Sequence, residues 1–262
     1  MSDTEPAISP DSPRLLKIIV ISDYICAFCY IASKALHDAI AACNDLPIRF
    51  DVEYRPFTLM CPTAQIPGST DSDKKLSRKA YLVKKLGQEH AEAKWKLVSE
   101  MAQKVGLAFA DDGIVCRSTQ AHRLAVKAYQ VGGQKMQTQL NNILFHACFS
   151  KGEDISEHDF LADAAVKVGL MTRQKALEFL NSTECQECVD KMVQAARANS
   201  VNGVPFIMID GKWALNGVQA TECYIQIFRK LAQSTISPTP SGMSTACSDC
   251  NGPLVAPTVS VQ

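Results

Sequence analysis

Two cysteines with two residues between them, Cys26 and Cys29, have the spacing of a pair that can cycle between dithiol and disulfide. The apolar run at residues 16–21 predicts a buried strand before them, and residues 30–43 predict an amphipathic helix after them. Unpaired N–H groups and the positive end of the helix dipole stabilise an anion at a helix N-terminus, so we expect a lowered pKa at Cys26. The pattern predicts thiol–disulfide chemistry.

Helix geometry assigns different roles to the two sulfur atoms. Cβ atoms three residues apart within a helix are separated by about 5–6 Å, whereas a disulfide needs about 3.8 Å. The ring can close if the first cysteine occupies the N-cap, where the backbone angles are not helical. We therefore expect Cys26 to be the exposed attacking sulfur and Cys29 to be the buried resolving thiol, one turn into the helix.

The eleven cysteines include two further pairs with this spacing. Cys185 and Cys188 fall on an apolar helical stripe, where we expect packing or free thiols, and a reactive Cys185 near the helix N-terminus is the alternative. Cys247 and Cys250 lie in a segment rich in Ser, Thr and Pro, where a flexible pair closes readily. That pair is a candidate accessory redox centre that passes electrons to the first pair, or else a plain accessible dithiol.

Metal binding and charge-driven functions are not expected. Zinc sites with four cysteines commonly use two such pairs about 15–20 residues apart, whereas 155 and 58 residues separate the pairs of this chain. The 27 acidic and 27 basic side chains give a formal charge of zero, so no broad field is available to hold nucleic acid or an anionic membrane. No phosphate loop or paired-carboxylate site is recognisable.

The first residues and the cysteine content predict a compartment. Residues 1–14 are polar and lack the basic and apolar regions of a secretory signal. The apolar run that follows is shorter than the ~18 residues that span a bilayer. In a chain of this kind, eleven cysteines are expected to be free thiols, catalytic groups or ligands and not a set of structural disulfides. We therefore expect a soluble, cytoplasmic protein.

The remaining pattern predicts strands on both sides of a long helical segment. Residues 48–57 alternate apolar and polar side chains, residues 75–199 have helical periodicity, and residues 205–215 predict two strands joined by the hairpin dipeptide Asp210-Gly211. A last helix is predicted at residues 221–232. The layout is an α/β, thioredoxin-like fold with a large all-helical insertion. Its predicted parts are a disordered arm (1–14), the first thioredoxin-like part (15–74), the helical insertion (75–200), the second thioredoxin-like part (201–233) and a disordered tail (234–262).

Five blocks of residues, in the same order and with similar spacing, resemble the DsbA-like thioredoxin-fold family, especially its cytosolic branch named after FrnE. The resemblance covers residues 16–232. The blocks are SDYICAFCY (22–30), AHRL (121–124), GEDIS (152–156), GVPF (203–206) and NGVQ (216–219). The family usually has Pro-Trp or Pro-His between the two cysteines, whereas this chain has Ala27-Phe28, which leaves the redox potential open.

The resemblance also implies roles for residues that the spacing alone does not identify. It implies a cis Val204–Pro205 bond that lies against the cysteine pair, with Pro205 as part of the catalytic site. The backbone of Val204 would then pair with an extended substrate, and Phe28 would contact substrate beside the sulfur atoms. His122 is either a substrate contact in the cleft or a structural histidine.

These expectations combine into a thiol–disulfide oxidoreductase that acts on protein or small-molecule thiols, with glutathione as a co-substrate and no tightly bound cofactor. Nucleic acid and membrane partners are not expected, and the oligomeric state, including a homodimer, is open. Two alternatives remain. One is a glutathione-dependent isomerase or transferase, since the family's relatives include 2-hydroxychromene-2-carboxylate isomerase and the kappa-class glutathione transferase. The other is a binding module without catalysis.

Overall fold

A computed structural model describes residues 13–60 and 76–233. The predicted N-terminal arm (except its last two residues), the predicted tail and its pair Cys247 and Cys250 lie outside the described residues, as does most of the loop after the second strand. The strands are β1 (Arg14–Ser22), β2 (Ile48–Pro56), β3 (Phe206–Ile209) and β4 (Trp213–Asn216). The helices are α1 (Ala27–Ala42), α2 (Arg78–Leu86), α3 (Gln88–Lys104), α4 (Thr119–Phe145), α5 (His158–Lys167), α6 (Arg173–Asn181), α7 (Gln186–Ala198) and α8 (Thr221–Gln233), with a π-helical turn at His146–Lys151 after α4.

The four strands form one sheet in the order β2-β1-β3-β4. β1 runs parallel to β2 and antiparallel to β3, and β3 and β4 form the predicted hairpin. At the turn of that hairpin, Asp210 and Gly211 have positive φ angles of 54° and 64°, which Asp and Gly tolerate. The hairpin prediction is confirmed.

The strand β1 is central and apolar on both faces, which explains its nearly unbroken hydrophobic sequence. Leu16 and Ile18 pack into a core that α1 and α8 complete. Ile19 and Ile21 point to the other face, where Ala196 of α7 lies against the sheet. Burial on both faces fixes the position of the end of β1, and the turn that carries the cysteine pair begins there.

The helical segment between β2 and β3 packs over the start of α1. Its core includes Leu124, Leu140 and Phe145 of α4, and the same cluster contains Cys29 and Tyr30 of α1. The predicted helical region therefore covers the cysteine pair directly. Whether it forms a separate domain with the boundaries given above stays a prediction.

The helix α4 is also bound to the sheet through two glutamines. It bends at Gly133, whose φ of 60° and ψ of −157° are not helical. Beyond the bend, the Gln134 amide accepts the N–H of Val52 at 2.8 Å and donates to the Phe50 carbonyl at 2.8 Å. Gln137 repeats this pattern on the N–H and carbonyl of Tyr54, at 2.8 and 2.9 Å. The two side chains thereby pair with backbone N–H and C=O groups on the outer edge of β2, as a further strand would.

None of the described helices is both long enough and apolar enough to span a bilayer.

Candidate active site

The cysteine pair lies where β1 passes into α1. Cys26 is the N-cap of α1, with extended backbone angles (φ −97°, ψ 107°), and Cys29 is the third helical residue. The turn is closed by the Cys26 N–H, which donates to the Asp23 carbonyl at 3.0 Å. The predicted placement of both cysteines is confirmed, although α1 begins at Ala27 and not at Tyr30. Both residues are free thiols in the structure.

The register of the sheet brings Val204 and Pro205 to Cys26. Ile21 pairs with Phe206, so the residues before β3 lie beside the end of β1. The Val204–Pro205 peptide bond is cis. The Cys26 thiol donates to the Val204 carbonyl, with 3.6 Å between sulfur and oxygen. Cys26 is only 7% exposed, so the expectation of an openly exposed sulfur was wrong, because the Val204 loop lies against it.

Cys29 is the more deeply buried sulfur, at 1% exposure. Burial raises the pKa of the Cys29 thiol well above its usual value, and a hydrogen bond with Cys26 and the negative charges of Cys26 and Asp23 raise it further. A backbone N–H of Asp23 that donates to the sulfur acts in the opposite direction. Cys29 is therefore held as a neutral thiol at neutral pH.

A buried carboxylate lies under the turn. Asp23 is 0% exposed, and its carboxylate accepts the N–H of Leu59 at 2.7 Å and that of Ile25 at 3.3 Å. His122 of α4 is 3% exposed, with Nε2 3.4 Å from the nearer Asp23 oxygen. The His122 ring packs on that of Tyr24 at 4.8 Å between centroids. His122 thus lies beneath the turn and not in an open cleft.

A second polar contact holds the same turn. The Tyr24 hydroxyl donates to the Asn141 side-chain oxygen at 2.5 Å, and both residues are buried. Sequence reasoning missed Asp23, Tyr24 and Asn141 as site residues. An acidic residue and a tyrosine directly before the cysteine pair are visible in the sequence, but their partners on α4 are more than ninety residues away and no periodicity indicates them.

Partly exposed apolar side chains surround Cys26. Ile25, Ala27, Phe28 and Val204 are all half-buried and pack against the core that contains the pair. Such a rim favours contact with apolar groups of a substrate. The structure places both predicted substrate contacts, Phe28 and Val204, in this rim.

A cavity of about 630 Å³ begins one residue beyond the pair. Its wall combines polar and apolar side chains from α1, α4, the π-helical turn and α5, among them Tyr30, His37, Asn142, His146 and Lys167. Burial lowers the pKa of His37, and the His37 ring lies 3.0 Å from the Tyr54 hydroxyl. The volume is large enough for a small organic molecule.

The second cysteine pair lies at the N-terminus of α7. Cys185 is the N-cap of α7, with a left-handed φ of 63°, and Cys188 lies in the first turn of that helix. Of the two expectations for this pair, the position of Cys185 near the helix N-terminus is confirmed, and its reactivity stays a prediction. Within residues 13–60 and 76–233, no group of three or more His, Cys, Asp or Glu side chains is arranged to hold a metal ion.

The sheet order, the cysteine pair at the N-terminus of α1 and the loop of Val204 and Pro205 against it define a thioredoxin-type protein. A family model for the DsbA-like thioredoxin domain matches residues 17–226, and the chain belongs to that family. The predicted fold class is thereby confirmed. The family fold is that of thiol–disulfide oxidoreductases and related isomerases. No curated protein sequence matches the chain.

Solved structures share this fold at low sequence identity. A probable DsbA oxidoreductase from Streptomyces coelicolor is 21% identical, with a TM-score of 0.69 over 88% of this chain and 96% of the other. A 2-hydroxychromene-2-carboxylate isomerase is 17% identical, with a TM-score of 0.56 over 83% and 95%. The cytosolic disulfide reductase DsbM from Pseudomonas aeruginosa, solved with GSH, is 14% identical, with a TM-score of 0.54 over 82% and 98%.

Proposed function

We propose that the protein catalyses thiol–disulfide exchange, with Cys26 as the attacking sulfur and Cys29 as the resolving thiol. The observation that supports this most is the position of the Cys26 sulfur at the N-cap of α1 and 3.6 Å from the Val204 carbonyl. A sulfur at a helix N-terminus is favoured as an anion. A substrate that approaches it also meets the Val204 backbone, with which an extended chain can pair.

The exchange proceeds in two displacements. The Cys26 thiolate attacks one sulfur of a substrate disulfide, forms a mixed disulfide and releases the first substrate thiolate, which takes up a proton. Cys29 then loses its proton and attacks the Cys26 sulfur, which releases the second substrate thiol and leaves a Cys26–Cys29 disulfide. Two molecules of glutathione reduce that disulfide and become oxidised glutathione. In the reverse direction the same steps oxidise a substrate dithiol.

The raised pKa of Cys29 explains why Cys26 reacts first and Cys29 second. While Cys26 carries a negative charge, that charge keeps the pKa of Cys29 high, so the second sulfur stays protonated. Formation of the mixed disulfide removes the charge from Cys26. The part of the pKa shift that comes from Cys26 is then lost, so Cys29 gives up its proton more readily once a bond exists for it to break.

The surroundings of Cys26 indicate the substrate class. The rim of Ile25, Ala27, Phe28 and Val204 carries no charged side chain and favours apolar segments of protein thiols and disulfides. Glutathione is proposed as co-substrate, and the GSH in the DsbM structure shows that this fold accommodates it in another protein. The cytoplasm, where glutathione is abundant and thiols stay reduced, is the proposed compartment.

We assign His122 a positioning role in place of a substrate contact. Its ring is enclosed between Asp23 and Tyr24 and so supports the turn that presents Cys26. A substitution there acts on the turn and through it on the reacting sulfur.

The proposal is tested by the reduction of a peptide disulfide with glutathione as electron donor. Cys26→Ser should abolish turnover, and Cys29→Ser should accumulate a mixed disulfide at Cys26. Cys223→Ser, which removes a partly exposed thiol on α8, is the matched control and should keep full activity. Normal turnover by the Cys26→Ser protein would refute the proposal.

The cavity at Tyr30 favours a second candidate, a glutathione-dependent isomerase or transferase that acts on a small metabolite. Such an enzyme needs one residue to hold the glutathione sulfur and no resolving thiol. Activity on a small substrate that survives Cys29→Ser and strictly requires glutathione would favour this candidate. Binding of unfolded protein by a variant that lacks both cysteines would instead indicate a module without catalysis.

A further inference from the structure

The pair Cys185 and Cys188 occupies the same two helix positions as Cys26 and Cys29. In both cases the first cysteine is the N-cap and the second is the third helical residue. Cys185 has non-helical backbone angles, φ 63° and ψ 0°, so the separation enforced within a helix does not apply to this pair. The helix therefore does not prevent a disulfide between the two sulfur atoms.

The burial of this pair is also asymmetric. Cys185 is half-buried, whereas Cys188 is buried among Val126 of α4 and Val189 and Val193 of α7. The first sulfur is accessible to a reagent in solution, and the second is protected. This is the arrangement of an attacking and a resolving thiol.

Two cations of α4 lie at the segment that leads into Cys185. Arg123 donates from Nε to the Glu184 carbonyl at 2.8 Å and from a terminal nitrogen to the Ser182 carbonyl at 2.7 Å. Lys127 Nζ lies 2.6 Å from the Glu184 carboxylate. These contacts hold the loop between α6 and α7 against α4 and keep positive charge beside Cys185.

The pKa values of both cations are affected by the nearby Cys185. Burial lowers the pKa of Arg123, and negative charge at Cys185 opposes that change. The hydrogen bond with Glu184 raises the pKa of Lys127, and negative charge at Cys185 raises it further. Both cations therefore lie within electrostatic range of Cys185.

The two glutamates next to the pair have cationic partners, and Asp190 in the following turn accepts from the Gln186 amide at 3.0 Å. Glu184 is paired with Lys127, and Glu187 in the first turn of α7 lies 2.9 Å from Lys191. The Gln130 side-chain oxygen, 3.7 Å from the Cys185 sulfur, accepts the hydrogen of the neutral thiol. Arg123 and the N-terminal end of the α7 dipole supply positive charge on the Cys185 side of the pair, a feature of the environments in which cysteines react.

We propose that Cys185 and Cys188 form a second dithiol–disulfide centre. Its oxidants are small disulfides such as oxidised glutathione. The Cys185 thiolate attacks oxidised glutathione, forms a mixed disulfide and releases one glutathione thiolate, which is protonated. Cys188 gives up its proton and attacks the Cys185 sulfur, which releases the second glutathione. Two protein thiols become one disulfide, and one oxidised glutathione becomes two reduced molecules. The centre does not require Cys26 or Cys29.

Trypsin places the three cysteine pairs on separate peptides, so one experiment measures the redox state of each pair. The full-length protein is equilibrated with mixtures of reduced and oxidised glutathione, quenched with acid, alkylated and digested. Peptide 176–191 contains only Cys185 and Cys188, peptide 18–34 contains only the first pair, and peptide 231–262 contains only the tail pair. We expect peptide 176–191 to convert to an internal disulfide in the native protein. Two separately alkylated thiols at every ratio tested would overturn the proposal, whatever happens in peptide 18–34.

Variants in a Cys26→Ser background isolate the second centre from the proposed active site. Cys188→Ser should accumulate a glutathione adduct on Cys185, and Cys185→Ser should give no adduct on Cys188. Lys127→Gln should slow adduct formation on Cys185 roughly two- to fivefold. Lys96→Gln, which removes an exposed lysine of α3, is the control and should leave the rate unchanged. Equal rates in the two lysine variants, or an adduct on Cys188 alone, would overturn the proposal.

Discussion

The Nε2 atom of His122 lies 3.4 Å from the Asp23 carboxylate, and both side chains are almost completely shielded from water. This contact joins the helical segment to the turn that carries Cys26. The same carboxylate lies within electrostatic range of Cys29, whose pKa burial raises most and the charge of Asp23 raises further. The helices between β2 and β3 thus contact the turn that presents the pair and do not only cover the two sulfur atoms.

The first prediction concerns that carboxylate. Asp23→Asn removes the negative charge, so the pKa of Cys29 should fall and its alkylation profile should move to lower pH. The measurement is made in a Cys26→Ser background, where peptide 18–34 contains Cys29 alone. Asp163→Asn, at an exposed carboxylate of α5, is the control and should leave the profile in place. An unchanged or higher midpoint in the Asp23→Asn protein contradicts the assignment.

The second prediction concerns the buried hydrogen bond between Tyr24 and Asn141. Tyr24→Phe deprives the Asn141 oxygen of its donor and should lower the free energy of unfolding by about 1–3 kcal/mol. Urea denaturation measures the change. Tyr81→Phe, at a half-buried tyrosine of α2 that contacts Lys85, should cost less than about 0.5 kcal/mol. Equal losses in the two variants would show that the hydrogen bond contributes nothing.

The third prediction concerns the edge of β2. Gln137→Leu removes three hydrogen bonds of a buried amide and leaves the Tyr54 backbone without its partner. We expect a loss of about 2–4 kcal/mol in the free energy of unfolding and more aggregation on warming, because an unpaired edge recruits other chains. Gln139→Leu makes the same substitution at an exposed position two residues away. If both variants have the stability of the parent, the glutamine contact does not support the sheet.

The fourth prediction concerns a buried cysteine in the π-helical turn. Burial raises the pKa of Cys148 to about 11, with Arg78 opposing the change. At pH 8 roughly one molecule in a thousand then carries the thiolate, so alkylation of peptide 136–151, which contains only this cysteine, should need unfolding. Peptide 213–229, with the partly exposed Cys223, should react in the native protein. Comparable native rates for the two peptides would contradict the described burial.

Local sequence signals predicted the elements that present the cysteine pair. The apolar run of β1, the spacing of Cys26 and Cys29 and the dipeptide Asp210-Gly211 each act over a few residues, and each led to the right element. The helical segment was recognisable because periodicity extends through it. The thioredoxin-like assignment of its flanks rested on the resemblance of several such short blocks.

Contacts between distant residues could not be predicted in this way. Gln137 meets Tyr54 across 83 residues, and nothing in the amphipathic pattern of α4 distinguishes that glutamine from Gln139. The sequence left the position of Cys185 open between the apolar stripe of a helix and the helix N-terminus. The apolar stripe favoured a place inside the helix, and the left-handed φ of Cys185, which is unusual for a cysteine, has no signal in the sequence.

The hydrogen bond between Cys26 and Val204 spans 178 residues of chain. A ribosome therefore completes the cysteine pair long before it adds the residues that shield the first sulfur. Until β3 has paired with β1, a nascent chain presents that thiol without the carbonyl that later contacts it. Premature capture of Cys26 by other nascent proteins is thus a hazard of synthesis, and a strongly reducing environment protects the chain until its last strands are made.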